Sequence, residues 1–415
     1  MVALRRVRCE EGDIDATRTL LQTPGVNMDA YNADGATLMY VAAKHGHTAV
    51  IELLADEGGA DISKATRDSG ACPLYIAARN GRMDTVRALV KRGADVNQTT
   101  AEGATPLLTA TINGHSGVVA ILLENNGNVN QARNDGVSPV FFASCEGLTE
   151  VLKLLLENGG DASQARNDGD TAVFLASQEG HTEVLKLLLE NGADATQAMN
   201  NSATPVLVAS QEGHTEVLKL LLENGGDANQ ATNNGATPML FASQKEHTDI
   251  IKLLLENGGD ANQAMDDGAT PMLFASQKGH TDVIKILLEN GGDANQARND
   301  GETPMLSALQ EDHMDVLKLL LENGGDVNQA GNDGYTPVFV ASEDGQMAAL
   351  KLLLENGGDV NQADNESGCT PVHRASSRGQ AATLKILLEN NGNVNTPNTD
   401  DSSSPIWAAG EKRTP

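Results

Sequence analysis

The chain is short of aromatic residues, clustered cysteines, long apolar runs and basic side chains, and each shortage removes a class of protein. Aromatic residues make up 3% of the 415 residues, with one Trp, four Tyr and six Phe, so any interior must draw on Leu, Val, Ile and Ala within an apolar total of 40%. Cys9, Cys72, Cys145 and Cys369 stand far apart, without a CxxC pair or a histidine at zinc-finger spacing. That pattern fits reduced thiols in a reducing compartment. No stretch reaches the roughly 18 consecutive apolar residues of a membrane span. Near the start, Arg5, Arg6 and Arg8 are followed by Glu10, Glu11, Asp13 and Asp15, where a secretory signal needs an apolar run. The cytosol, or the nucleus, is the expected location, and the sequons at Asn97, Asn200 and Asn365 then meet no glycosylation machinery. Lys plus Arg number 29 against 57 Asp plus Glu, a formal charge of −28 spread along the chain. Such a surface repels nucleic-acid phosphates and anionic membranes, and it reads either as a solvated exterior or as a field that attracts basic partners.

The length exceeds the roughly 250 to 300 residues at which a single core stops growing, so the chain must be divided or repetitive. It is repetitive. A Thr or Ser, usually followed by Pro, recurs at 105, 138, 171, 204, 237, 270, 303, 336, 370 and 404, with Thr37 and Cys72 in the same slot upstream. The intervals are 35, then 33 eight times, then 34 twice, and ten of the 13 prolines follow this position directly. Thr or Ser is a good N-cap and Pro is tolerated at the first helical position, so each pair starts a helix.

Within one period, Thr171 to Glu179 reads as a short helix stopped by Gly180. His181-Thr182-Glu183 opens a second helix, with Val184, Leu185, Leu187, Leu188 and Leu189 on a wide apolar face and Lys186 and Glu190 turned outward. Asn191-Gly192 ends it, and the Asn-, Asp- and Gly-rich stretch that follows has the chemistry of turns. A unit this short lies below the roughly 40 residues at which an isolated fold is viable, so units must stack. The expected fold is an all-α solenoid of helix-turn-helix units with projecting hairpin loops. At about 10 Å per unit, a dozen units would span roughly 120 Å.

These residues resemble the ankyrin repeat, whose pattern runs D-G-x-T-P-L-H-x-A-A, then G-H, then V-V-x-L-L-L, then G-A-D-V-N. Glu102-Gly103-Ala104-Thr105-Pro106-Leu107, Gly114-His115, Ile121-Leu122-Leu123 and Gly127-Asn128-Val129-Asn130 carry one copy of it. The resemblance covers essentially the whole chain. It implies a partial repeat over 1–30, eleven full repeats over 31–397 and a partial repeat or tail over 398–415. In the partial first repeat, Glu11-Gly12-Asp13 forms the turn and Ile14 to Leu21 the second helix. Ile406 and Trp407 are poor capping residues for a last repeat, which favours a chain cut from a longer one. Two departures stand out. The family's His after Thr-Pro-Leu is Tyr40, Tyr75, Leu108, Phe141 or a similar residue in every unit except His373, and Gly-Gly often replaces Gly-Ala before the loop, which should loosen it.

Candidate chemistry is sparse. His47, His115, His181, His214, His247, His280 and His313 fall at one repeat phase, and steps of about 10 Å cannot bring two imidazoles onto one ion. They are expected in turns, with no metal and no cofactor. Asn167-Asp168-Gly169 and Asp266-Asp267-Gly268 have the look of calcium loops, but Arg166 and Met265 occupy a ligand position and the bidentate Glu is missing. There is no phosphate loop, GxSxG elbow or HExxH helix, so no catalytic residue is expected. The resemblance assigns Asn97, Asn130, Asn229, Asn262, Asn295, Asn328 and Asn361 the role of tying neighbouring hairpins together.

The resemblance also implies that partners bind hairpin tips and the exposed side of the first helix, on a concave surface. Carried over position by position, the tips supply Arg133, Asn134, Arg166, Asn167, Met199, Met265 and Arg298. The next loop position supplies Val137, Asp170, Glu302 and Tyr335. The helix supplies Glu146, Gln178, Glu179, Gln211, Glu212, Gln244, Lys245, Gln277, Lys278 and Gln310. The helix core hardly changes between units while the tips alternate Arg, Met, Thr and Gly, a pattern that either matching to a partner or neutral drift of exposed sites after duplication would leave. The reading is a monomeric, non-catalytic scaffold for a protein or peptide of basic character. The alternatives are a recruitment module of a larger signalling or ubiquitin-linked assembly, and a mechanical spacer.

Overall fold

The computed structural model describes residues 11–399 and 404–405. Among them are 23 helices and no strand: Ile14–Leu21, then eleven helix pairs from Leu38–His45 and Thr48–Asp56 to Pro371–Arg378 and Ala381–Glu389. The chain forms two compact units that divide between Asn200 and Asn201. The expected all-α repeat solenoid is what the sequence builds in each. The readings placed on residues 1–10, Ile406 and Trp407 lie outside the described residues.

The repeat at 138–160 shows how the sequence sets each element. Ser138 is extended at φ −93°, and its Oγ accepts the Phe141 N–H at 3.2 Å, while Pro139 at the first helical position gives up a donor that the helix would leave unpaired. The helix Pro139–Cys145 is stopped near Gly147, and the chain reverses into Thr149–Glu157. The second helix buries Val151, Leu152, Leu155 and Leu156 and turns Glu150, Lys153 and Glu157 to solvent. At its end, Asn158 Nδ2 donates to the Leu154 carbonyl at 2.8 Å. Cys72 serves as a cap in the same way, its Sγ accepting the Tyr75 N–H at 3.3 Å.

In the equivalent helix Thr182–Glu190, Val184, Leu185 and Leu188 are buried, but Leu187 and Leu189 are only half-covered. The fully covered stripe is therefore narrower than the sequence suggests. In this helix the buried stripe has i, i+1, i+4 spacing, and the leucines beside it meet solvent at one edge.

Within each unit, first helices pack on neighbouring first helices and second on second. Fully buried alanines at 143 and 176 in one unit, and at 209, 242 and 275 in the other, allow the close approach. Where the family carries His, Leu108, Phe141, Leu240 and Phe339 fill the interior with 0 to 4% exposure, and their N–H groups satisfy the buried cap hydroxyls.

The loops close as tight turns and not as strand ladders. Arg133 N–H donates to the Val137 carbonyl at 2.9 Å and Gly136 N–H to the Arg133 carbonyl at 2.8 Å. The double glycine has a packing role in these loops. Gly159 holds φ +81°, and a Cβ on Gly160 would come within 2.7 Å of Val140 Cγ2 and 2.9 Å of the Leu155 carbonyl oxygen. The second glycine is thus there for close packing of the loop on the helices.

Candidate interaction surface

Three sets of polar side chains fix where the variable residues stand, and all three are spent on the frame. The first is the turn histidine. Nε2 of His115, His181, His247, His280 and His313 lies 3.1 to 3.2 Å from the carbonyl oxygen 36 residues earlier. Gln346 and Gln380 replace histidine and donate to the Leu309 and Glu343 carbonyls at 2.7 Å. An amide serves where an imidazole serves, so what the position supplies is one hydrogen bond to the preceding repeat. Among the described residues, no three His, Cys, Asp or Glu side chains are placed to hold a metal ion.

The second set is the asparagine that follows the second helix in most repeats. Asn130 Nδ2 donates to the Gly159 carbonyl at 3.0 Å, and its Oδ1 accepts the Asp161 N–H at 2.7 Å. Asn229, Asn262, Asn295 and Asn328 repeat this double contact with Gly258, Gly291, Gly324 and Gly357 and the aspartates that follow. The bond thus runs from turn to turn at the helix ends, away from the hairpin tips.

The tips are tied by the third set. Asn134, Asn167 and Asn200 donate their Nδ2 to the carbonyls of Ala101, Asn134 and Asp168, and Asn299 donates to Asp266. Asn134 and Asn167 are exposed, yet their amides are engaged with the preceding loop.

The arginines of the tips are engaged too. Arg133 forks onto Asp135 of its own loop, Nε to Oδ1 at 2.9 Å, and holds that carboxyl down to about 2. Arg166 reaches Asp168 at 2.9 Å and Asp170 at 3.7 Å, and Arg298 reaches Asp300 and, at 2.9 Å, Glu302. Burial raises the Asp170 carboxyl, with Asp168 adding to the rise and Arg166 opposing it. A free cationic edge is therefore not what these loops present.

Of the expected contact residues, Glu146, Gln178, Glu179, Glu212, Lys245, Lys278 and Gln310 are exposed. Met199, Met265, Gln211, Gln244, Gln277 and Tyr335 are half-buried. Val137 is a correction: it is 7% exposed and packs with Ala104, Leu108 and Phe141, because the residue before the cap points inward as the chain enters the helix. Ala203, Ala236 and Ala269 are buried for the same reason. Tyr335 stacks on Phe339 at 4.4 Å between ring centroids, and Arg374 donates to its hydroxyl at 3.2 Å.

The sequence reading passed over Tyr31, Tyr40 and Tyr75 as surface. Tyr40 and Tyr75 line a groove of about 410 Å³ with Asp68, Arg79 and Glu102, and Arg67 lies 4.4 Å from the Tyr31 ring centroid. A signal was available, since three of four tyrosines fall in the first 75 residues.

A sequence model of ankyrin repeats, described as three copies, matches overlapping stretches 6–100, 85–165, 130–199, 147–232, 173–265, 240–331 and 325–398. The tyrosine-protein kinase HTK16 of Hydra vulgaris is 31% identical over 90 residues, 22% of this chain and 12% of the kinase. The E3 ubiquitin-protein ligase KEG of Arabidopsis thaliana is 28% identical over 101 residues, 22% of this chain and 6% of the ligase. Alpha-latroinsectotoxin-Lt1a of Latrodectus tredecimguttatus is 38% identical over 64 residues, 15% of this chain and 4% of the toxin. The chain spans an eighth or less of each of these curated relatives, so their activities do not pass to it with the match.

Proposed function

The chain belongs to the ankyrin repeat family, and from that premise we propose that it is a non-catalytic scaffold that binds a protein or peptide partner along its loop tips and the exposed side of its first helices. Ankyrin repeats are protein-interaction modules, and the family is generally non-catalytic. One observation carries the finer reading: frame positions repeat the same residue and the same hydrogen bond from unit to unit, while the tip residue changes from Thr66 and Thr100 to Arg133, Met199, Met265 and Arg298. A frame repeated this closely needs no variety at its tips, whereas a surface matched to a partner does. The charge of −28 favours a partner of basic character. The protein acts as a monomer in the cytoplasm or nucleus on this reading. No helix among the described residues is long and apolar enough to cross a membrane.

A second reading, recruitment within a larger signalling or ubiquitin-linked assembly, is favoured by the match of this chain to segments of a kinase and a ubiquitin ligase. Affinity capture of the tagged chain with mass spectrometry tests both. Proteins recovered reproducibly, and lost with Arg166→Glu plus Arg298→Glu, are the expected result, and ligase or kinase components among them would select the second reading. Recovery of nucleic acid alone, or turnover of a small molecule, would refute the scaffold.

A further inference from the structure

The loops at 32–36 and 66–71 and the one around Glu102 differ from those that follow in how they treat their carboxylates. Asp135, Asp168 and Asp300 are each taken by an arginine of the same loop. Asn32, Thr66 and Thr100 stand where Arg133 stands, and among the described residues Asp34, Asp68 and Glu102 enter no ion pair. Two grooves of about 380 and 410 Å³ adjoin at this place and share Tyr40, Asp68 and Ser69. Asp34 lines the first and Glu102 the second, while the cations present, Lys44 and Arg79, come from the last turns of the first helices. The groove is therefore acidic along its loop side and aromatic along its wall. Tyrosine faces here accept cations already, since the Arg67 guanidinium lies over Tyr31.

We propose that this groove docks an extended segment of a protein partner, which sets a lysine or arginine between Asp68 and Glu102 with its alkyl stem along the Tyr40 and Tyr75 rings. The inference rests on the scaffold reading and adds a place and a partner chemistry to it. A long basic side chain suits both halves of the site, because its stem covers ring surface while its head meets Asp68 and Glu102, neither of which is held in an ion pair among the described residues. An acidic side chain would instead have to reach Lys44 or Arg79 past three carboxylates.

The test is selection of a phage-displayed random dodecapeptide library on the full chain, followed by fluorescence polarisation of the enriched peptides. The expected outcome is enrichment of Lys or Arg. Binding should be about tenfold weaker to the double variant Asp68→Asn, Glu102→Gln, whose exposed side chains carry no frame contact, and weaker again as salt rises. Tyr75→Ala should give a similar loss, and Arg166→Glu little change. Peptides rich in Asp or Glu, or basic peptides that bind the double variant as well as the parent, overturn the site and leave the scaffold reading standing. A library that yields nothing overturns docking of an extended segment, and an affinity capture that also recovers no protein overturns both.

Discussion

The stretch 161–199 and the stretch 229–361 are built from the same helix pairs but fastened differently. In the second, Asn229, Asn262, Asn295 and Asn328 each hold the following turn by two hydrogen bonds. In the first, Ser163 and Thr196 occupy that position, and Thr196 bonds back to Asp194 of its own turn. The helices form regardless, with Val184, Leu185 and Leu188 as buried as Ile250, Ile251 and Leu254. Helix formation and repeat-to-repeat fastening are thus encoded at separate positions. The well-fastened stretch has a defect of its own, since Glu246 and Asp312 hold φ of +62° and +57° where other repeats have glycine.

The largest effect should come from removing a fastening. Asn262→Ala gives up bonds of 2.8 and 2.7 Å and should destabilise by about 1–2 kcal/mol, while Ser163→Asn should recover about half as much. Urea unfolding and amide exchange at Asp293 and Asp194 would check this, and an Asn262→Ala protein with an unmoved midpoint would erase the distinction between the two stretches. A smaller gain is expected from repairing the turns. Left-handed strain of about 1–2 kcal/mol is offset by the extra freedom of glycine in the unfolded chain, so Asp312→Gly should stabilise by about 0.5–1 kcal/mol. Glu246→Gly should give less, because its carboxylate also lies 3.3 Å from His280 Nδ1. Equal gains at both sites would show that this contact adds nothing.

The smallest effect concerns the arginine forks. Asp135 has a folded value of about 2, below its ordinary 3.8, so the Arg133 contact contributes above the ordinary value and is lost as the pH falls through about 2. Carboxyl titration by NMR should find Asp135 at the low value, and Arg133→Gln should return it to the ordinary range. An Asp135 that already titrates normally in the parent would mean that the fork is open in solution.

Much of the frame was legible because it is periodic. Thr or Ser before Pro locates most first helices, and an apolar run of the V-L-K-L-L-L kind locates most second ones, since each signal is local and acts within a few residues. The surface was legible only in part. Arg166 and Arg298 read as partner-binding tip residues in the sequence, and in the structure each folds back onto carboxylates two and four residues on. Val137 read as exposed beside Asp170 and Glu302 at the same phase, but an apolar side chain there sinks among Leu108 and Phe141 while the charged ones stay near their arginines.

By itself, the sequence determined the period, the caps, the all-helical class and the need to stack, because a thirty-three-residue unit cannot cover its own leucines. Tertiary structure decided which polar groups remain available to a partner. That outcome depends on contacts spanning about one repeat, such as Asn130 to Gly159 and Asn167 to Asn134. Such contacts form only once neighbouring repeats are in register, so the local signals that start and stop each helix do not reveal them.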